Sequence, residues 1–235
     1  MFHKNNVIVF NGEIYNYIEL REDLKSRGYV FHTGTDTEVI LAAYDFWEED
    51  CVNHFNGMWS FALFDSRNNK IFCSRDRFGI KPFYYTETEM HFAFGSEIKQ
   101  LLPFHEQNHA NHDVLMDFLV LGLEEHTNET FFQGIYKLPG GHNLTYDITK
   151  KDYKITPFYS LETRTDLKDL KKEEVLQTYE THLRDAVSLR LRSDVKVGAC
   201  LSGGLDSSAI VSLAAHEYRK ASGSRLTAIT ACSID

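Results

Sequence analysis

"VKVGACLSGGLDSSAIVSLAA", Val195 to Ala215, reads as a short apolar strand, a glycine-serine turn and then a helix. That order makes a Gly-rich bend an anion site, because amides at a helix N-terminus point at the ligand and carry the positive end of the helix dipole. Gly203 and Gly204 would let backbone N–H groups approach phosphate oxygens without a Cβ in the way, and Ser202 and Ser207 offer hydroxyl donors. Asp206 cannot serve an anion directly, but a carboxylate beside phosphates is where a magnesium ion would be held. The pattern lacks the lysine of a Walker A loop, so a pyrophosphate group fits better than γ-phosphate transfer. An isolated Ser-Gly-Gly would be read as a helix cap. The strand before this one and the helix after it favour the anion site.

Outward from that turn, Leu183, Val187 and Leu191 mark a helix, "VKVGACL" a buried strand and "LTAITAC" a further strand. The order α, β, α, β is what a parallel α/β sheet requires. The charged "SLETRTDLKDLKKEE" just upstream predicts a linker over residues 161–170 and a solvated helix start near Lys171. The expected domains are therefore 1–160 and 171–235.

The first of these is read as an α+β domain. "NVIVF" is a β-branched apolar run, and Tyr17, Leu20 and Leu24 predict a short helix ending at Gly28. Thr35 and Glu38 form an S/T-x-x-E capping box for a second helix. "MWSFALFD", "KIFCSRD", "FYYT" and "HFAFGS" predict one antiparallel meander, "SEIKQLL" and "DVLMDFLVLG" predict helices, and "YKLPGGHNLTYD" predicts a turn before another strand.

Composition narrows the function. The 235 residues are 43% hydrophobic and 13% aromatic, enough for a real core, and the formal charge of −9 argues against nucleic acid or a polybasic membrane surface. With no apolar run of about 18 residues and no secretory leader, the expectation is a cytoplasmic protein that handles small metabolites. Cys51, Cys73, Cys200 and Cys232 are widely spaced and are expected to be small buried hydrophobes. The histidines show no i, i+4 pairing for a metal.

"VIVFNGEIYNYIELREDL" and "TGTDTEVILAAY" raise a second chemistry. Amide hydrolysis builds negative charge on the carbonyl oxygen, and the Asn11 carboxamide with the Gly12 N–H can supply a pair of donors for it. Glu13 and Asp36 can pair with the ammonium of a free amino acid. Other readings stay open: Asn-Gly is a favoured turn dipeptide, and Asp36 suits a helix N-terminus.

"FNGEIYNYIELREDL", "TDTEVILAAY", "NGMWSFALFD", "SRDRFGIKPFYY", "FGSEIKQLL", "LPGGH" and "LRSDVKVGACLSGGLDSS" resemble, in that order, the glutamine-hydrolysing asparagine synthetase family. The resemblance implies an α+β N-terminal-nucleophile glutaminase sandwich followed by the start of an α/β ATP-pyrophosphatase domain. It implies glutamine, aspartate and ATP as substrates, Mg2+ as cofactor, and ammonia passing by an internal tunnel to a β-aspartyl-AMP. By matching position, Asn11 and Gly12 would form the oxyanion hole, with Asn11, Gly12, Glu13 and Asp36 holding glutamine. Leu201, Ser202, Gly203, Gly204, Asp206, Ser207 and Ala231 would line the ATP site, with Asp206 toward the metal. Arg75, Asp76, Arg77 and Lys81 are expected to organise the fold or a domain junction. The resemblance leaves a homodimer open.

The family's glutaminase uses a cysteine exposed as residue one, whereas this chain reads Met1-Phe2 and its first cysteine is Cys51. On that ground the chain as given is expected to be a segment of a longer enzyme and not to hydrolyse glutamine by itself. The rival expectations are an amidotransferase acting on another carboxylate, such as a polysaccharide sugar acid, and a non-catalytic module that binds nucleotide or glutamine.

Overall fold

Residues 1–3, 6–163 and 171–232 are described by the computed structural model of the chain. They divide into two compact units, Met1–Leu161 and Glu162–Asp235. The first begins with β1 (Phe2–His3), β2 (Asn6–Ile14), α1 (Tyr17–Ser26), α2 (Asp36–Trp47) and the short α3 (Cys51–His54). It continues through β3 (Gly57–Asp65), β4 (Lys70–Arg75), β5 (Tyr84–Glu87), β6 (Phe92–Gly95) and α4 (His112–Leu121), then closes with β7 (Tyr136–Lys137), β8 (His142–Asp147) and β9 (Asp152–Pro157).

Two antiparallel sheets form, one ordered β1-β2-β3-β4-β8-β9 and one ordered β6-β5-β7. The four aromatic runs therefore make two hairpins in different sheets, and the single meander expected from the sequence is corrected. The break comes at Asp76, 1% exposed, whose carboxylate accepts the amides of Trp59, Phe78, Ile80 and Lys81 at 3.0–3.2 Å. Those bonds curl the chain away from the sheet, and the free edge of β4 is taken by β8. Arg75 donates to the carbonyls of Gly79, Lys81 and Leu138, and Arg77 to those of Phe55 and Asn53. Both arginines thus organise the fold.

Alternation along β3 and β4 serves two cores at once. Trp59, Phe61, Leu63 and Phe72 pack with Leu24 of α1 and Val39, Ile40 and Ala43 of α2, and Trp47 is half-buried against the same cluster. Ala62 and Cys73 meet Leu144, Phe83 and Tyr85 on the opposite side. Helices, six-stranded sheet and three-stranded sheet therefore stack as layers, the α+β sandwich that was expected. Burying each large apolar side chain contributes about 1.5–3 kcal/mol, so the doubly covered strands anchor the unit.

Local signals behave in physically distinct ways. The α1 helix ends in a Schellman motif, with Tyr29 N–H on the Leu24 carbonyl and Gly28 N–H on that of Lys25, and Gly28 has φ +92°. Thr35 caps α2 by accepting from the Glu38 amide, but Glu38 does not complete the box. Its carboxylate instead accepts the amides of His32 and Thr33 and the Thr33 hydroxyl at 2.6–2.8 Å. "SEIKQLL" forms two short 3-10 turns, Ile98–Gln100 and Leu102–Phe104, because Pro103 lacks the N–H a continuing α-helix needs.

The second unit contains α5 (Lys172–Arg190), β10 (Gly198–Cys200), α6 (Leu205–Ser222) and β11 (Thr227–Ile229). Its two strands pair in parallel, Gly198 with Thr227 and Cys200 with Ile229. The strand read from "VKVGACL" is shorter and more exposed than expected, and Cys200 and Cys232 are exposed where buried thiols were expected. Val187 and Ala214 are the buried apolar residues of this unit among the described residues. Most of the linker expected over 161–170 lies outside the described residues. No helix among the described residues is long and apolar enough to cross a membrane.

Candidate functional site

The end of β2 runs tightly against β3, with Gly12 opposite Trp59 and Ile14 opposite Gly57. A Cβ on Gly12, whose φ is +155°, would stand 2.2 Å from the Met58 carbonyl oxygen, and one on Gly57 would stand 2.2 Å from that of Glu13. Two glycines therefore permit the close approach that sets the backbone around residues 11–13. Alternation sends Asn11 and Glu13 to the face opposite Ile8 and Ile14, which belong to the helix-side core. Both are exposed.

Asp36, in the first turn of α2, joins them through the backbone: its Oδ2 accepts the Ile14 N–H at 3.0 Å, and its Oδ1 accepts the Thr37 hydroxyl at 3.4 Å. The structure thus gathers Asn11, Gly12, Glu13 and Asp36 at one end of β2. The loop before Asp36 is held by Glu38 and by Arg21, which donates to the Thr35 carbonyl at 2.9 Å and lies within 5.5 Å of the Tyr17 and Phe31 ring centres. Burial alone would raise the Glu38 pKa, but the Thr33 hydroxyl and the His32 and Thr33 amides outweigh it and hold the carboxyl below its ordinary value.

Beside Asn11 opens a groove of about 310 Å³ lined by Val9, Ser60, Phe94, Ser96 and Gln100 among others. The Asn11 Nδ2 donates to the Ser96 hydroxyl at 3.3 Å. Sequence reasoning did not mark Ser96 as a site residue, because the contact joins positions 85 residues apart and belongs to no local pattern. Neither buried cysteine supplies a nucleophile here. Burial pushes both thiols up, with Asp50 and Glu49 acting in the same direction at Cys51, and a thiol so shifted stays protonated at neutral pH.

In the second unit the Ser-Gly-Gly turn sits between β10 and α6. Gly204 is the N-cap residue of α6 and brings no side-chain cap to the first-turn amides. Gly203 has φ +82°, and a Cβ there would meet nothing within 4 Å, so its left-handed backbone is what calls for glycine. Ser207 donates to the Gly204 carbonyl at 3.2 Å, which makes Ser202 the donor in the 3.0 Å contact between the two hydroxyls. A phosphate would have to draw those hydroxyls outward. Leu201 N–H is bonded to the Ile229 carbonyl at 2.8 Å, which places Ala231 just beyond the strand end beside the turn. Asp206 lies in the first turn of α6. No group of three or more His, Cys, Asp or Glu that could cage a metal occurs among the described residues.

Two places in the chain depend on glycine, the end of β2, where Asn11 and Gly12 lie near Glu13 and Asp36, and the turn that leads into α6. The chain belongs to the glutamine amidotransferase domain family, which matches residues 1–159. Residues 178–235 match a second family, asparagine synthase. A Methanocaldococcus jannaschii relative assigned by name to the glutamine-hydrolysing asparagine synthetases is 43% identical over 87% of this chain and 39% of its own length. Asparagine synthetase 3 of Bacillus subtilis, also named as glutamine-hydrolysing, is 38% identical over 91% of this chain and 34% of its own length. The chain therefore spans less than two fifths of the length of these relatives. A solved B. subtilis glutamine phosphoribosylpyrophosphate amidotransferase has a TM-score of 0.48 at 16% identity, covering 97% of this chain and 47% of the other.

Proposed function

We propose that the chain belongs to a glutamine-dependent asparagine synthase, with glutamine handled by residues 1–160 and ATP by residues 171–235. The reaction is aspartate + glutamine + ATP + water to asparagine + glutamate + AMP + pyrophosphate. The observation that carries the reading is the convergence of Asn11, Gly12, Glu13 and Asp36 at the end of β2, in a chain that also carries the exposed Gly-rich turn at α6. In the glutaminase half-reaction, the Asn11 N–H and the Gly12 amide stabilise the charge that builds on the glutamine carbonyl oxygen. Glu13 and Asp36 hold the substrate ammonium, and Asp36 keeps lone pairs for this beyond those taken by Ile14 and Thr37.

ATP supplies the activation of the acceptor carboxylate by cleavage between its α- and β-phosphates. The turn fits a pyrophosphate: uncapped first-turn amides, a left-handed glycine with open space before it, and two small hydroxyls. Leu201 and Ala231 flank the place an adenosine would occupy. Asp206 would share Mg2+ with phosphate oxygens and water, which is how that ion is ordinarily held when no protein cage exists. Aspartate, glutamine and ATP are cytoplasmic metabolites, and the same reading puts the protein there.

Calorimetric titration of the chain separates the two sites. L-glutamine binding is expected to be lost in Asp36→Ala and kept in Gly203→Val, with MgATP binding showing the reverse. Glutamine binding that survives Asp36→Ala would sink the ammonium role, and a wild-type chain that binds neither ligand would count against the assignment.

A further inference from the structure

We propose that Ser96 is a positioning residue for the Asn11 carboxamide. The proposal rests on the reading of Asn11 as an oxyanion donor and adds the group that keeps that donor aimed. Asn11 is exposed, and an exposed carboxamide can swing about its side-chain torsions with water satisfying every pose. An oxyanion donor is useful only when its direction is set before the charge develops. The Asn11 Nδ2 donates to the Ser96 hydroxyl at 3.3 Å, and a second N–H on the same nitrogen can turn to the groove that Ser60, Phe94 and Gln100 also line.

Ser96 is itself held from both sides. On its N-terminal side Gly95 is the last residue of β6 and pairs with Tyr84. On its C-terminal side Glu97 and Gln100 form a reciprocal capping box, with the Gln100 Oε1 accepting the Glu97 N–H at 3.0 Å and the Glu97 carboxylate accepting the Gln100 N–H. Gln100 folds back so closely that a Cβ on Gly95 would stand 2.6 Å from its Oε1. The short link between β6 and the Ile98–Gln100 turn, fixed at each end, thus presents the Ser96 hydroxyl across the groove to a strand of the other sheet.

The test is nuclear magnetic resonance of the whole chain with 15N-labelled asparagine, the Asn11 carboxamide signal being identified by its loss in Asn11→Ala. In the wild type this NH2 pair is expected to lie away from the shifts of a solvated carboxamide and to exchange slowly with water. Ser96→Ala should move it to the position and exchange rate of a solvated carboxamide, Ser96→Thr should restore it, and Gln100→Ala should move it part of the way. A signal unchanged in Ser96→Ala overturns the proposal. Titration with L-glutamine supplies the second arm: Ser96→Ala is expected to weaken binding by roughly three- to tenfold, the worth of one neutral hydrogen bond, and Ser96→Thr to recover it. Equal glutamine binding by Ser96→Ala and wild type overturns the positioning role while the function reading stands. An Asn11 signal that depends on Ser96 in a chain that binds no glutamine strikes the function reading and leaves the positioning role standing.

Discussion

A methyl group on Gly12 would be 2.2 Å from the Met58 oxygen and 2.8 Å from the Trp59 Cα, both of them backbone atoms that cannot swing aside. Gly12→Ala is therefore expected to cost more than about 2 kcal/mol by forcing β2 from β3, read as a drop in the urea midpoint. The same substitution at Gly28, where nothing lies within 4 Å, should cost only the left-handed backbone term of about 1 kcal/mol. Buried carboxylates set the acid limit of the fold. Asp65, 1% exposed, has burial acting against its charge, yet the Asn68 side chain and amide, the Tyr44 hydroxyl and the Arg67 amide bring its pKa below the ordinary 3.8. Glu38 lies below its ordinary 4.5 by the same balance. A depressed folded pKa gives stability that is full above the unfolded value and is lost as pH falls through the folded one. Stability should thus be level above about pH 5 and fall progressively below pH 4.5, and Asp65→Asn should flatten part of that fall in denaturation midpoints taken across pH.

At the scale of elements, the two halves of the expected capping box separate experimentally. Thr35→Ala removes the cap of α2 and is expected to cost about 1 kcal/mol. Glu38→Gln leaves the cap and loosens residues 32–33, so amide exchange should quicken there and not along α2. The capping motif was legible because Thr35 and Glu38 lie three residues apart, but the partner of the Glu38 carboxylate is set by how the preceding loop folds back. Likewise α1, α2 and α4 were legible as helices, and the Gly-Ser turn through its place between strand and helix. The distribution of four aromatic hairpin strands over two sheets did not, since a run such as "KIFCSR" is apolar on both faces and names no neighbour. The polar buried Asp76, which breaks the meander, and Ser96, which meets Asn11 across the groove, act over distances that periodicity does not encode.

The whole molecule is uneven in its burial. The first unit holds Trp59, Phe61, Leu63 and Phe72 at 0–1% exposure, whereas the second buries only Val187 and Ala214 among the described residues. Hydrogen exchange should accordingly protect β3 and β4 to the level of global unfolding, while β10 and β11 exchange by local opening at far lower free energy. Equal protection of the two pairs of strands would contradict this. Both tryptophans, Trp47 and Trp59, belong to the first unit and to one core cluster. Indole fluorescence consequently reports on the first unit, whereas the long helices α5 and α6 of the second contribute strongly to far-ultraviolet circular dichroism. The two optical signals should trace different transitions in the same denaturant series, with ellipticity falling first. A single-wavelength fluorescence melt would then report a chain as intact after the Gly-rich turn before α6 has already come apart.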